Sequence, residues 1–144
     1  MPAPMIKIKN ILLLLLLSAT LASCDSGDDL TEIFQSHTWK LSHFNEGGQI
    51  TSPSGNSAYT LKFHDTTFSF TTKSGATITG YWQADNKERT FSCSQVQVSN
   101  GTIATDAIAQ KAEKFFKEAK NYEGDSNYLK IMIQKNSFMQ FHNK

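Results

Sequence analysis

Tyr59-Thr60-Leu61-Lys62-Phe63-His64, then Asp65-Thr66-Thr67, then Phe68-Ser69-Phe70, is the stretch that decides the fold. Tyr59, Leu61 and Phe63 alternate with Thr60, Lys62 and His64. That period of two puts successive side chains on opposite faces of a half-buried strand. Asp65-Thr66 can turn the chain, and Phe68 and Phe70 carry the alternation onto a second strand. Two segments that are apolar on one face and polar on the other, joined by a short turn, predict an antiparallel sheet with one wet face.

The same pattern extends in both directions. Upstream, His37 to Phe44 reads as a strand with Trp39 and Leu41 on one face and Lys40 and Ser42 on the other, ended by Glu46-Gly47-Gly48. Residues 51–57 are a loop by composition. Downstream, Lys73-Ser74-Gly75 forms a hairpin turn, with Gly75 free to take positive φ. Ala76, Ile78, Gly80 and Trp82 then share one face of a third strand, and Tyr81 and Gln83 take the other. Asp85-Asn86-Lys87 turns again. Along Phe91 to Val98 the inward phase switches from Phe91 and Cys93 to Val96 and Val98. One extra residue does this, which predicts a β-bulge near Ser94 or Gln95.

Asn100-Gly101 breaks that strand, and one amphipathic helix is predicted over Asp106 to Asn121. Ile108, Ala112, Phe115, Phe116 and Ala119 form its apolar stripe, and Thr105 or Asp106 is its N-cap. Lys111, Lys114, Lys117 and Lys120 alternate with Glu113 and Glu118 on the wet side. Gly124-Asp125 closes the unit. Tyr128 to Gln134 and Ser137 to His142 then form two last strands around Lys135-Asn136. The expected class is α+β. It is a curled, mainly antiparallel sheet of about seven strands, a partly open barrel, with the helix before the last two strands. One helix cannot cover a large sheet, so the sheet curls and the helix plugs its open side. A solid interior would be built from Trp39, Leu61, Phe63, Phe68, Phe70, Ile78 and Phe115.

Residues 1–23 have the three parts of a secretory leader: Lys7 and Lys9, the apolar run Ile11 to Leu17 extended through Ala19 and Leu21, and small residues before Cys24. The apolar run is shorter than the about 20 residues needed to span a membrane. Leu21-Ala22-Ser23-Cys24 resembles a bacterial lipobox, with cleavage between Ser23 and Cys24. The resemblance implies a diacylglycerol thioether on Cys24 and an acylated new amino group. Residues 24–31, with Asp25, Asp28 and Asp29, read as an acidic flexible tether, and residues 32–144 as the domain. An acidic cluster after the lipidated cysteine resembles a surface-export signal in some Gram-negative lineages. An Asp directly after it resembles an inner-membrane retention signal in others. The expected location is the bacterial cell envelope, with the outer membrane favoured and the leaflet open.

Removing 23 residues leaves 121, enough for one domain with a modest core. Without Lys7 and Lys9, twelve Lys and Arg face thirteen Asp and Glu, so the formal charge moves from +1 to −1. No basic stripe survives, which argues against a nucleic-acid partner on charge grounds. With Cys24 lipidated, Cys93 is the remaining cysteine, in strand phase with Phe91 and expected to be buried and inert.

Thr38-Trp39-Lys40-Leu41, Thr60-Leu61-Lys62-Phe63, Gly80-Tyr81-Trp82 with Thr90-Phe91-Ser92, Ala112-Glu113-Lys114-Phe115-Phe116, Asn127-Tyr128-Leu129-Lys130-Ile131 and Phe138-Met139-Gln140-Phe141 together resemble the META domain, the HslJ-like family. The resemblance runs from about Thr38 to His142. It departs at Ser74-Gly75-Ala76, where that family often has Gly-Cys-Asn, and at Thr102 to Thr105, which lack a second cysteine. It implies an envelope-stress association without an established enzymatic site. Lipocalin-like envelope lipoproteins, which open on a similar Thr-Trp-Lys-Leu strand, are the second resemblance.

No Gly-x-Ser-x-Gly elbow, phosphate-binding glycine loop or His-Glu-x-x-His occurs. His37 and His43 share the phase of Trp39 but stand six residues apart, and no metal site or cofactor is expected. Glu113 and Glu118 are surface charges rather than an acid/base pair. Tyr59, Tyr81, Trp82, Tyr122 and Tyr128 could line a cleft for sugars or lipids. Aromatics at strand spacing are more often core, Tyr81 being the exception because it faces away from Trp82. The expected function is a non-enzymatic binding or interaction module, anchored to the membrane through lipid on Cys24, with an envelope protein as partner. A lipocalin-like carrier of a small apolar ligand is the alternative.

Overall fold

The computed structural model describes residues 30–54 and 58–143. A short π-helical turn, Thr31–Gln35, comes first. The strands are β1 (Thr38–Glu46), β2 (Gln49–Thr51), β3 (Thr60–Phe63), β4 (Thr67–Thr71), β5 (Thr77–Asp85) and β6 (Thr90–Ser99). The α-helix α1 (Ala107–Glu118) follows, then β7 (Asn121–Gly124), β8 (Tyr128–Gln134) and β9 (Ser137–Asn143). The sheet order is β2-β1-β3-β4-β5-β6-β7-β8-β9, and β1 also pairs with β9. That last pairing, from Trp39↔Asn143 to Glu46↔Ser137, turns the sheet into a ring.

The curled, antiparallel sheet with one late helix agrees with the sequence pattern, but three strands follow the helix where two were expected. The class differs: nine strands and a single α-helix among the described residues make it mainly β rather than α+β. The two unexpected strands have clear causes. Gly47 and Gly48, both at positive φ, turn β1 back onto Gln49–Thr51, while residues 55–57 of the expected loop lie outside the described residues. The helix was expected to reach Asn121 but ends at Glu118. Ala119 turns extended, the Lys120 amide donates to the Met132 carbonyl at 2.9 Å, and Tyr122 is buried on β7. Tertiary pairing here outweighs helix propensity.

Bulges adjust which side chains face inward. Opposite Gly80, β6 carries an extra residue between Ser94 and Gln97, with Gln95 at φ 51°, where the phase switch predicted it. A second irregularity lies between Leu41 and His43 on β1. It moves His43 out of the phase of Trp39 and turns Phe44 inward, fully buried. Gly80 is required by close approach: an added Cβ would lie 2.9 Å from the Phe68 ring and 2.9 Å from the Ser94 carbonyl.

Two plugs fill the ring. Asp106 caps α1, its carboxylate accepting the Ala109 amide at 3.0 Å. The helix buries Ala109, Ala112, Phe115 and Phe116. Phe116 stacks on Phe68 at 4.5 Å and meets Phe70 at 5.5 Å, while Phe115 lies 5.4 Å from Phe44. The other plug is Phe34, from the π-helical turn. Its ring centroid is 4.9 Å from those of Phe63, Trp82 and Tyr122 and 5.6 Å from that of Phe91. The Trp39 indole N–H donates to the Ile33 carbonyl at 3.1 Å and pins this turn to the start of β1. Burying one such ring stabilises by about 1.5–3 kcal/mol. Each well-placed aromatic pair adds about 0.5–1.5 kcal/mol.

Candidate functional site

Ser23, Cys24, the leader and the acidic run Asp25, Asp28 and Asp29 lie outside the described residues. Leu30, expected in the tether, already packs against the core. No helix among the described residues is long and apolar enough to cross a membrane.

Cys93 sits on β6 opposite Trp82, half-buried against the core, and burial pushes its thiol up to about 12. Little thiolate forms at neutral pH, so the side chain is a poor nucleophile. His37, just before β1, and His43 within it do not converge. His37 Nδ1 lies 3.1 Å from the Asn143 amide nitrogen, while its Nε2 is enclosed without a hydrogen-bond partner among the described residues. His43 Nδ1 pairs with the Ser42 hydroxyl at 2.9 Å, and burial, then the Lys130 charge, hold it below the usual histidine range. Among the described residues no group of three or more His, Cys, Asp or Glu side chains could hold a metal ion.

The aromatic candidates separate by burial. Tyr59 and Tyr122 are core, Trp82 and Tyr128 half-buried, and Tyr81 is 46% exposed, facing away from Trp82 as its phase predicted. The Tyr59 hydroxyl donates to the Asp106 carboxylate at 2.9–3.0 Å. The carboxylate that caps α1 therefore also ties it to the start of β3. Burial, then the hydrogen bond to Asp106 and its charge, raise Tyr59 to about 12.

Tyr81 belongs to a cleft of about 380 Å³ on the outer face of the sheet. His64 just after β3, Thr67 and Ser69 of β4, Thr79 and Tyr81 of β5, and Gln95 and Gln97 of β6 line it, with Phe68 and Gly80. The pairs Thr67↔Tyr81, Ser69↔Thr79 and Thr79↔Gln97 set these side chains in rows across three strands. Gly80 and the bulge beside it dent the surface between them. From Thr67 to Thr71, from Thr77 to Gln83 and from Ser92 to Ser99, each outward position is Ser, Thr, Gln or Tyr. Charge resumes at Lys62 on β3 and Asp85 at the end of β5. Reading the polar phase of these strands as closely as the apolar one would have found this tract in the sequence.

A family model described as a domain of unknown function, DUF4847, matches residues 25–143. The crystal structure of a DUF4847 family protein from Bacteroides vulgatus ATCC 8482, at 1.00 Å resolution, is 24% identical, with a TM-score of 0.62 over 80% of this chain and 97% of that one. The NMR structure of a protein from Burkholderia xenovorans is 12% identical, with a TM-score of 0.62 over 80% of this chain and 86% of that one. At these identities the likeness concerns the fold. No curated protein matches.

The family match overturns the META resemblance and the lipocalin-like one behind it. The reason is physical. Thr38-Trp39-Lys40-Leu41 and Thr60-Leu61-Lys62-Phe63 are what any half-buried antiparallel strand requires, and Ala112 to Phe116 is what any helix packed into a ring requires. Such residues report an architecture, not a lineage.

Proposed function

The chain belongs to the DUF4847 family, a domain of unknown function, and from that premise we propose that it is a non-enzymatic envelope lipoprotein, anchored through Cys24 and presenting its ring domain to a partner in the envelope. The observation that carries this is an adjacency. Leu21-Ala22-Ser23-Cys24 closes a leader-like segment, and the family domain begins at residue 25. Lipidation of Cys24 would thus add an anchor without removing any of the domain. One acyl chain holds a protein only marginally, whereas two or more hold it firmly.

The tether is short. Six residues from Cys24 to Leu30 reach at most about 20 Å when fully extended. The π-helical turn that carries Phe34 would therefore stay near the bilayer. The acidic cluster after Cys24 supports the outer membrane, while Asp25 directly after the cysteine resembles the inner-membrane retention signal of other lineages. The interior is filled by aromatic side chains from both plugs, which supports an interaction module over a carrier with an enclosed ligand.

Cys24→Ala tests the anchor. Fatty-acid labelling should disappear and the chain should leave the membrane fraction. Unchanged labelling and unchanged membrane association would refute it. Protease treatment of intact cells reads the leaflet: cleavage of the domain marks the surface, and protection marks the periplasmic side.

A further inference from the structure

We propose that the dented outer face of β4, β5 and β6 is a binding site for a neutral saccharide, with Tyr81 as its stacking platform. Charge points to a neutral ligand. Charged residues make up 19% of the chain, and they sit on outward positions of a folded domain far more often than inside. Yet the outward positions from Thr67 to Thr71, from Thr77 to Gln83 and from Ser92 to Ser99 are uncharged, and charge returns at Asp85. A phosphate or acidic ligand would find no lysine or arginine in the lining, only the His64 imidazole, and a cationic one would find no carboxylate.

Hydrogen-bonding capacity points the same way. Ser and Thr hydroxyls and Gln amides each donate and accept. Sugar hydroxyls do both as well, so Thr67, Ser69, Thr79, Gln95 and Gln97 can satisfy a polyol in whichever direction each group points. Tyr81 supplies the remaining element, an apolar face for the C–H side of a sugar ring. It stands 46% exposed directly across from Thr67. A tyrosine immobilises only two χ angles on contact, which keeps the entropic cost low.

Shape fits a small ligand. The cleft measures about 380 Å³, at the lower end of the roughly 300–1,000 Å³ typical of small-ligand sites. Gly80 and the bulged Gln95, at φ 51°, both line it, and the Phe68 ring and Ser94 carbonyl leave no room for a side chain at Gly80. A protein partner is a poorer fit. Protein interfaces centre on buried aromatic, Met and Arg anchors, and this face has one aromatic side chain set among hydroxyls and amides. The proposal does not depend on lipidation of Cys24.

The test uses the full-length chain in a zwitterionic, sugar-free detergent. It is titrated with maltohexaose, cellohexaose and mannohexaose, and with the acidic hexamer of galacturonic acid, following amide shifts by NMR. At least one neutral hexaose should bind at millimolar concentration or below and shift the amides of Thr79, Tyr81, Gln95 and Gln97. Tyr81→Ala should weaken that binding by on the order of tenfold, equivalent to about 1.4 kcal/mol, while Tyr81→Phe retains it and both variants keep the parent melting temperature. No binding of any neutral hexaose, shifts confined to another face, unchanged affinity in Tyr81→Ala, or tighter binding of the acidic hexamer would each overturn the proposal.

Discussion

Phe34 shows most clearly what single residues contribute. It is fully buried, yet it stands in a segment where only Ile33 and Leu30 are also apolar. Phe34→Ala should cost ~3–5 kcal/mol, as large-to-small changes at well-packed aromatic sites do, read as a lower urea midpoint at unchanged slope. Gly80→Ala should cost ~1–3 kcal/mol by overpacking, because the Phe68 ring or the bulge must move. Tyr59 gives a pH signature. Its phenol is raised from 10.0 to about 12 in the folded chain, so the folded state holds this proton longer than the unfolded one. The stability it adds is complete below pH 10 and falls away as pH rises towards 12. Thermal melts between those values should drop more steeply for the parent than for Tyr59→Phe. At this scale the sequence was legible where neighbours repeat a period, as for Trp39, Leu61, Phe63, Phe68 and Phe70. Phe34 has no periodic neighbours, and only the ring it plugs explains it.

At the scale of elements, the ring is thinnest between β6 and β7. There Thr90↔Asn121 is the one paired residue in register, with backbone bonds of 3.0 Å from the Phe91 amide to the Lys120 carbonyl and from the Tyr122 amide to the Arg89 carbonyl. The helix that connects these strands packs into the ring beside the seam. Phe116→Ala should therefore cost ~3–5 kcal/mol, whereas Lys111→Ala, which removes the partly exposed ion pair with Glu46, should cost less than about 1 kcal/mol. Equal losses in chemical denaturation would contradict this order. Element type was readable because the strand and helix periods differ. The β6 bulge was readable because apolar residues on both sides of it keep opposite phases. The β1 bulge was not, since Phe44 alone marks the new phase. The end of α1 was overrun because Tyr122 continues an apolar pattern whose burial comes from strand pairing with β8.

For the whole molecule, sequence pattern yields a curled antiparallel sheet with one helix inside it, and residues that make a fold are poor witnesses to kinship. The DUF4847 match replaces the expected family while leaving that architecture in place. The proposed function rests on residues the fold does not need: Cys24 at one extreme, and the polar tract around Tyr81 at the other. The central claim is that Cys24 is the lipidated first residue of the mature chain. Intact-mass spectrometry of the detergent-extracted protein, with fragmentation of its N-terminus, tests it most directly. The mature chain should begin at Cys24 and carry a diacylglycerol thioether on its sulfur. A chain that begins at another residue, or one with Cys24 as an unmodified thiol, would contradict it.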